Sequence, residues 1–172
     1  MKSYKIVITG PFNAGKTAFI RTVSDIDMVT TERRISDPQV ATATKSETTV
    51  ALDYGQKRLG DTLLHLYGTP GQARFEFMWP ILAKEMDAFV VLVDSTDRTS
   101  FMDVKQVIRL FGKQAKVPYV VAANKQDRAV ALPPAEVQRL LSLSAKVAVL
   151  PCVAQDKASV LSVLEHVRQL LA

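Results

Sequence analysis

Six short apolar runs punctuate the chain: YKIVITG (4–10), TVALDY (49–54), TLLHLY (62–67), AFVVLVD (88–94), PYVVAAN (118–124) and KVAVLPC (146–152). They are rich in Val, Ile and Leu and are bounded by turn residues, which predicts strands. Between them lie amphipathic stretches that predict helices: GKTAFIRTV (15–23), RFEFMWPILAKE (74–85), FMDVKQVIRLFGKQ (101–114), AEVQRLLSL (135–143) and SVLSVLEHVRQLL (159–171). In the last, Val160, Leu161, Val163, Leu164, Val167, Leu170 and Leu171 form a broad stripe suited to packing on a sheet. Strands buried on both faces and alternating with helices imply an α/β fold with a mostly parallel sheet. The runs at 49–54 and 62–67 are the exception. A polar, glycine-containing turn joins them, too short for a crossover, so this pair should be an antiparallel hairpin. Residues 25–47 show neither period, and a stretch of that length without regular structure is more often functional than packed.

The first predicted strand runs straight into GPFNAGKT (10–17), a match to G-x-x-x-x-G-K-[ST] in strand–loop–helix context. That spacing lets successive amides from Asn13 through Ala14, Gly15 and Lys16 to Thr17 wrap phosphate oxygens. Gly10 begins the turn and Ala18 follows in the helix. Lys16 would reach the β and γ oxygens, and the Thr17 hydroxyl would take a Mg2+ site. Asn13 suits a left-handed backbone, and Pro11 precedes the amides that must donate. A second motif, NKQD (124–127), closes the strand PYVVAAN. A carboxylate at Asp127 can accept from the N1 and N2 donors of guanine, a pair that adenine lacks. The strand's carboxyl end is where open α/β sheets bind ligands.

With both motifs in place the chain resembles the Ras-like small GTPases over nearly its whole length, residues 1–172 as a single G domain. The resemblance implies a Ras-like P-loop fold: a six-stranded, mostly parallel sheet with one antiparallel strand and helices on both faces. It implies GTP or GDP as bound nucleotide with Mg2+, and slow GTP hydrolysis. Thr49, in TTVALDY, corresponds to the first-switch threonine that ligates Mg2+ and senses the γ-phosphate. In GTPGQ, Gly71 corresponds to the amide donor to the γ-phosphate and Gln72 to the residue that orients the attacking water. Asn124 and Lys125 belong to the base-binding motif. The SAK at 144–146 mimics the family's guanine-supporting loop but precedes the last strand. Val153, Ala154 and Gln155 are therefore the better candidates, with the Ala154 amide turned to guanine O6. Residues 25–50 and 68–80 are expected to change order with the γ-phosphate.

Three positions depart from the family pattern. Gly68 stands where the family has an Asp that holds Mg2+ through a water, which predicts weakened Mg2+ binding, not lost nucleotide binding. If the hairpin turns near Leu59 and Gly60, Asp53 falls diagonally across from Gly68 on the same face and could substitute. A one-residue slip would turn it to the other face. Phe12 stands close to where the γ-phosphate should lie: its ring either blocks an arginine finger from a partner or points to solvent. Arg33 and Arg34 lie in the first-switch stretch, as an intrinsic finger or as solvated loop arginines. The missing Asp, the TPGQ signature and the lack of a lipid-anchor motif look most like the prokaryotic gliding-motility and polarity branch. That resemblance implies protein regulators and effectors, among them a roadblock-fold activating partner.

Composition adds limits. A net charge of +5 from scattered Lys and Arg gives no case for nucleic acid. No apolar segment approaches the ~20 residues of a membrane span, and no signal peptide or lipidation motif is present, so a cytoplasmic protein without its own anchor is expected. One cysteine, Cys152, suits a reducing compartment and a buried position. His65 and His166 have no Cys or carboxylate cluster at metal spacing. Trp79 clusters with Phe75, Phe77 and Met78 after the second switch, for core packing or a partner surface. Two other functions compete with the switch. A nucleotide-loaded scaffold without useful hydrolysis is motivated by Gly68 and opposed by Gln72 and Thr49. A kinase or ATPase on the same loop is opposed by NKQD and by the lack of an acceptor domain or lid.

Overall fold

A computed structural model describes residues 1–36, 47–70 and 79–172. Seven strands form one sheet: β1 (Lys2–Thr9), β2 (Val29–Ser36), β3 (Glu47–Leu59), β4 (Thr62–Gly68), β5 (Ala88–Asp94), β6 (Tyr119–Asn124) and β7 (Val149–Pro151). Their order is β2-β3-β4-β1-β5-β6-β7. The four central strands β4, β1, β5 and β6 pair in parallel, and β3 runs antiparallel to both of its neighbours. The α/β class, the parallel centre and the single reversed strand all follow the sequence expectation.

The count of six strands does not. The missed strand is β2, VTTERRIS, inside the stretch that showed no period. It lies at the sheet edge and pairs only with β3, from Val29↔Tyr54 to Ser36↔Glu47. An edge strand can be specified by main-chain pairing, without the apolar alternation that a buried face imposes.

Five helices cover the sheet: α1 (Lys16–Val23), α2 (Trp79–Glu85), α3 (Phe101–Gln114), α4 (Pro134–Leu140) and α5 (Lys157–Leu171). Alternation along the central strands divides the core. Ile6, Ile8, Val90 and Leu92 face α1 and α5, where Phe19, Ile20, Val160 and Leu164 meet them. Val7, Phe89, Val91 and Val93 face α2, α3 and α4, where Leu82, Val104, Phe111 and Val137 meet them. Every residue of β5 is buried, as a strand covered on both faces requires.

The hairpin β3–β4 is drawn tightly against α1. Gly55 permits this approach, because a Cβ there would lie 2.7 Å from Ile20 Cγ2 and 2.8 Å from Ser24 Oγ. Ser24 Oγ in turn accepts the Gln56 amide at 3.1 Å. Gly55→Ala should therefore destabilise the fold by about 1–3 kcal/mol through overpacking. Urea unfolding with an unchanged m-value would show the loss as a lower midpoint, and an unshifted midpoint would contradict this packing.

Candidate functional site

β1 ends at Thr9 and α1 begins at Lys16, so the intervening turn sits at the carboxyl end of the central strand. Its curvature comes from left-handed backbone at Asn13 (φ 65°) and Gly15 (φ 101°), as expected for these two residue types. The Gly15 position is also crowded: a Cβ would sit 2.4 Å from Asn124 Nδ2. The Ala14 amide is tied to the Pro11 carbonyl at 3.2 Å. The first-turn amides of α1 have no acceptor within the helix and form the positive end of its dipole.

Lys16 is buried, and its Nζ donates to the carbonyls of Gly10 (2.7 Å) and Pro11 (2.9 Å). Burial pushes its pKa down to about 8, opposed by the nearby Asp53 carboxylate. Phe12 is 67% exposed, in keeping with the solvent-pointing alternative.

Beside this turn opens a cavity at the carboxyl edge of the sheet, where open α/β sheets bind ligands. Gly15, Ala18, Asn124, Lys125 and Asp127 line it together with Val153, Ala154 and Gln155 from the loop after β7. Sequence separation of roughly a hundred residues is thus closed by the fold, and all of these candidates share one cavity. Asn124, 3% exposed, clips the walls together: Nδ2 donates to the Ala14 carbonyl at 2.8 Å, and Oδ1 accepts the Ala154 amide at 2.9 Å.

The second bond bears on the Ala154 amide, which is expected to face a base. In this structure its hydrogen is already directed to the adjacent Asn124 oxygen. Val153 is likewise held, its amide donating to Ser159 Oγ at 2.8 Å.

Two residues of this site were not singled out from sequence. Arg128 also lines the cavity, and its position directly after NKQD was the available signal. Asp94 ends β5 and accepts from Lys125 Nζ at 2.6 Å and from the Thr96 amide at 2.9 Å. Burial would raise the Asp94 pKa, but the bonds from Lys125 and Thr96 outweigh it and hold the pKa below the ordinary carboxylate value.

On the other side of Lys16, three elements meet. Asp53 of β3 lies directly opposite Gly68 of β4, closer than the diagonal placement expected from sequence. The hairpin turns at Gly60 and Asp61, which puts Asp53 on the α1 face, and Thr17 Oγ1 donates to Asp53 Oδ2 at 2.6 Å. The chain leaving β4 is fixed to the same corner by the Thr69 amide on the Ile8 carbonyl (3.0 Å) and by Thr69 Oγ1 on Thr9 Oγ1 (3.1 Å).

Thr49 is in β3 opposite Arg34, and Arg33 is opposite Val50; their side chains lie outside the described residues. Gly71, Gln72, Phe75, Phe77 and Met78 also lie outside them. His65 sits between the Tyr54 hydroxyl (2.7 Å) and Ser3 Oγ (2.9 Å), a polar network on the sheet face away from α1. Among the described residues no three His, Cys, Asp or Glu side chains gather to hold a metal. What Thr17 and Asp53 offer is one hydroxyl and one carboxylate, which fits Mg2+ held chiefly by phosphate oxygens and water. Cys152 is buried as expected, and burial pushes its thiol pKa up to about 11. Among the described residues no helix is long and apolar enough to cross a membrane.

Comparison with known proteins agrees with this geometry. The family model for the ADP-ribosylation factor family matches residues 1–171. An uncharacterised protein of Methanocaldococcus jannaschii is 29% identical over 123 residues, 72% of this chain and 70% of that protein. ADP-ribosylation factor-like protein 5 of Caenorhabditis elegans is 28% identical over 145 residues, covering 83% of this chain and 73% of the relative. Ras-related protein Rab-21 of Homo sapiens is 28% identical over 127 residues, 73% of this chain but only about half (52%) of Rab-21. Among solved structures, the Arl6 BBS3 small GTPase from Trypanosoma brucei with bound nucleotide analogue GppNp superposes with a TM-score of 0.74 at 22% identity. That match covers 98% of this chain and 96% of the other. The likeness is to Arf and Rab proteins, not specifically to the gliding-motility branch that Gly68 and TPGQ suggested. The chain belongs to the ADP-ribosylation factor family of small GTPases.

Proposed function

We propose that the protein is a guanine-nucleotide switch that binds GTP and GDP with Mg2+ and hydrolyses GTP slowly. The observation that carries this reading is the junction of a phosphate-loop turn around a buried Lys16 with a cavity walled by Asn124, Lys125 and Asp127. Lys16 Nζ, now on the Gly10 and Pro11 carbonyls, would turn its charge to the β and γ oxygens while the first-turn amides of α1 bind the remaining ones. Bound Mg2+ would neutralise phosphate charge, held by the hydroxyls of Thr17 and Thr49. Asp127 would accept from guanine N1 and N2, with Asn124 keeping the cavity walls in register. Val153, Ala154 and Gln155 supply the rim, and the Ala154 amide is available to O6 only by exchanging or sharing its Asn124 acceptor.

For hydrolysis, Gly71 would donate to the γ-phosphate and Gln72 would hold the attacking water, with Thr49 closing the site. Positioning and charge neutralisation are nearly all that this chemistry asks of a protein. The chain would act in the cytoplasm through protein regulators and effectors. The exposed ring of Phe12 leaves the loop open to a partner's side chain, including one from a roadblock-fold activator. Such a partner accompanies the proposal that this chain sits near the gliding-motility branch, which rests on Gly68 and TPGQ alone.

Three measurements test this reading. In competition against labelled GDP, GTP should displace at least about 100-fold better than ATP, since adenine would leave Asp127 unpaired; equal displacement overturns the base assignment. In single-turnover assays Gln72→Leu should slow GTP hydrolysis well below wild type, whereas identical background rates for both favour the scaffold. The third follows from Lys16. With a pKa near 8 in the free protein and a bound phosphate favouring its charged form, binding takes up a proton above that pH. GDP affinity should therefore be flat below about pH 8 and fall by up to roughly tenfold per unit above it. Calorimetry in buffers of different ionisation enthalpy would detect the proton uptake at pH 9 and its absence at pH 6.5, and equal uptake at both would refute it.

A further inference from the structure

Gly68 and Asp53 occupy one cross-strand pair, and the space at position 68 is tight. A Cβ at position 68 would lie 3.2 Å from Asp53 Cβ, 3.8 Å from Asp53 Oδ2 and 3.0 Å from Ile20 Cδ1. Gly68 is not forced by its backbone, which is regular strand without the positive φ that excludes other residues. Ile20 and Asp53 crowd it, so a side chain at 68 would require one of them to give by a few tenths of an ångström. Exchanging a carboxylate across such a pair moves its Cβ by about 4.5–5.5 Å and keeps it on the same face.

The partner of that carboxylate is equally specific. A hydroxyl that ligates a cation must aim a lone pair at the metal and send its proton elsewhere. Thr17 sends its proton to Asp53 Oδ2, 2.6 Å away, which leaves Asp53 Oδ1 for a metal-bound water.

We propose that Asp53 on β3 is the positioning carboxylate of the Mg2+ site, taking on the task of an acidic residue at position 68 from the opposite strand. This rests on the guanine-nucleotide reading above. Asp53 acts through Thr17 and through water, not as a direct ligand. The residue pair Asp53–Gly68 therefore functions as a unit, and Mg2+ affinity depends on the β3–β4 register.

The alternative is a bare structural tie between β3 and α1. It predicts that the bond matters and the charge does not. Asp53→Asn separates the two, since its amide oxygen can still accept from Thr17. The experiment follows release of N-methylanthraniloyl-GDP across a Mg2+ titration and in EDTA, with thermal unfolding of each variant as a fold control. For Asp53→Asn the Mg2+ concentration that half-maximally slows release should rise by about 10–100-fold, and the difference from wild type should be larger with Mg2+ than in EDTA. The exchanged pair, Asp53→Gly with Gly68→Asp, should return the midpoint towards wild type. A wild-type Mg2+ midpoint in folded Asp53→Asn reduces Asp53 to a structural tie and overturns the proposal. Failure of the wild type to bind the labelled GDP at all would instead overturn the guanine reading, and this inference with it.

Discussion

The carboxyl edge of this sheet is organised by one buried amide, that of Asn124. Its two polar atoms are satisfied by backbone groups from opposite ends of the chain, the Ala14 carbonyl and the Ala154 amide. The loop after β1 and the loop after β7 are thereby held at a fixed separation, and the cavity between them acquires its shape. Gly15 pays the steric cost, since any side chain there would overlap the same amide. Removing either bond would strand a buried polar group at about 1–3 kcal/mol, which makes the clip a strong specification of loop geometry.

The parallel centre of the sheet makes that clip possible. β5 and β6 end level, with Asp94 beside Asn124, and β1 stops three residues earlier, with Thr9 beside Val91. Loops leaving consecutive parallel strands therefore emerge on one edge, where open α/β sheets collect their ligands. The Asp94–Lys125 pair braces the same edge: Asp94 is almost wholly buried, and its charge is tolerated because Lys125 and Thr96 both donate to it. The reversed strand β3 contributes on the other flank. Its pairing with β4 turns Asp53 to α1, while Leu52 on the next pleat enters the opposite core.

Much of this was legible before any coordinates. α3 spans Phe101–Gln114, the full extent of its amphipathic pattern, and β5 coincides with its apolar run. These elements are read easily because burial writes their periodicity into the side chains. β2 was invisible for the converse reason: an edge strand held by main-chain pairing needs no apolar alternation. Asp94 was passed over because an acidic residue ending a strand resembles any turn residue until its lysine partner arrives from 31 positions away. The bond from the Ala154 amide to Asn124 Oδ1 is likewise illegible in sequence, since the two are neighbours only in the folded chain.

The sequence by itself determined the α/β class, the glycine-bearing turn between β1 and α1, the placing of Asp127 after β6 and the place of the hairpin. Each is encoded in contiguous residues whose spacing reflects local backbone or burial demands. Whether the glycine at 68 has a carboxylate as its cross-strand neighbour could not be decided at that level. Only the β3–β4 register, set by the two-residue turn and by the packing of Gly55 on α1, brings Asp53 opposite Gly68 and within 2.6 Å of Thr17. A one-residue change of register reverses every side chain of a strand, so the answer lay in tertiary pairing and not in any single motif.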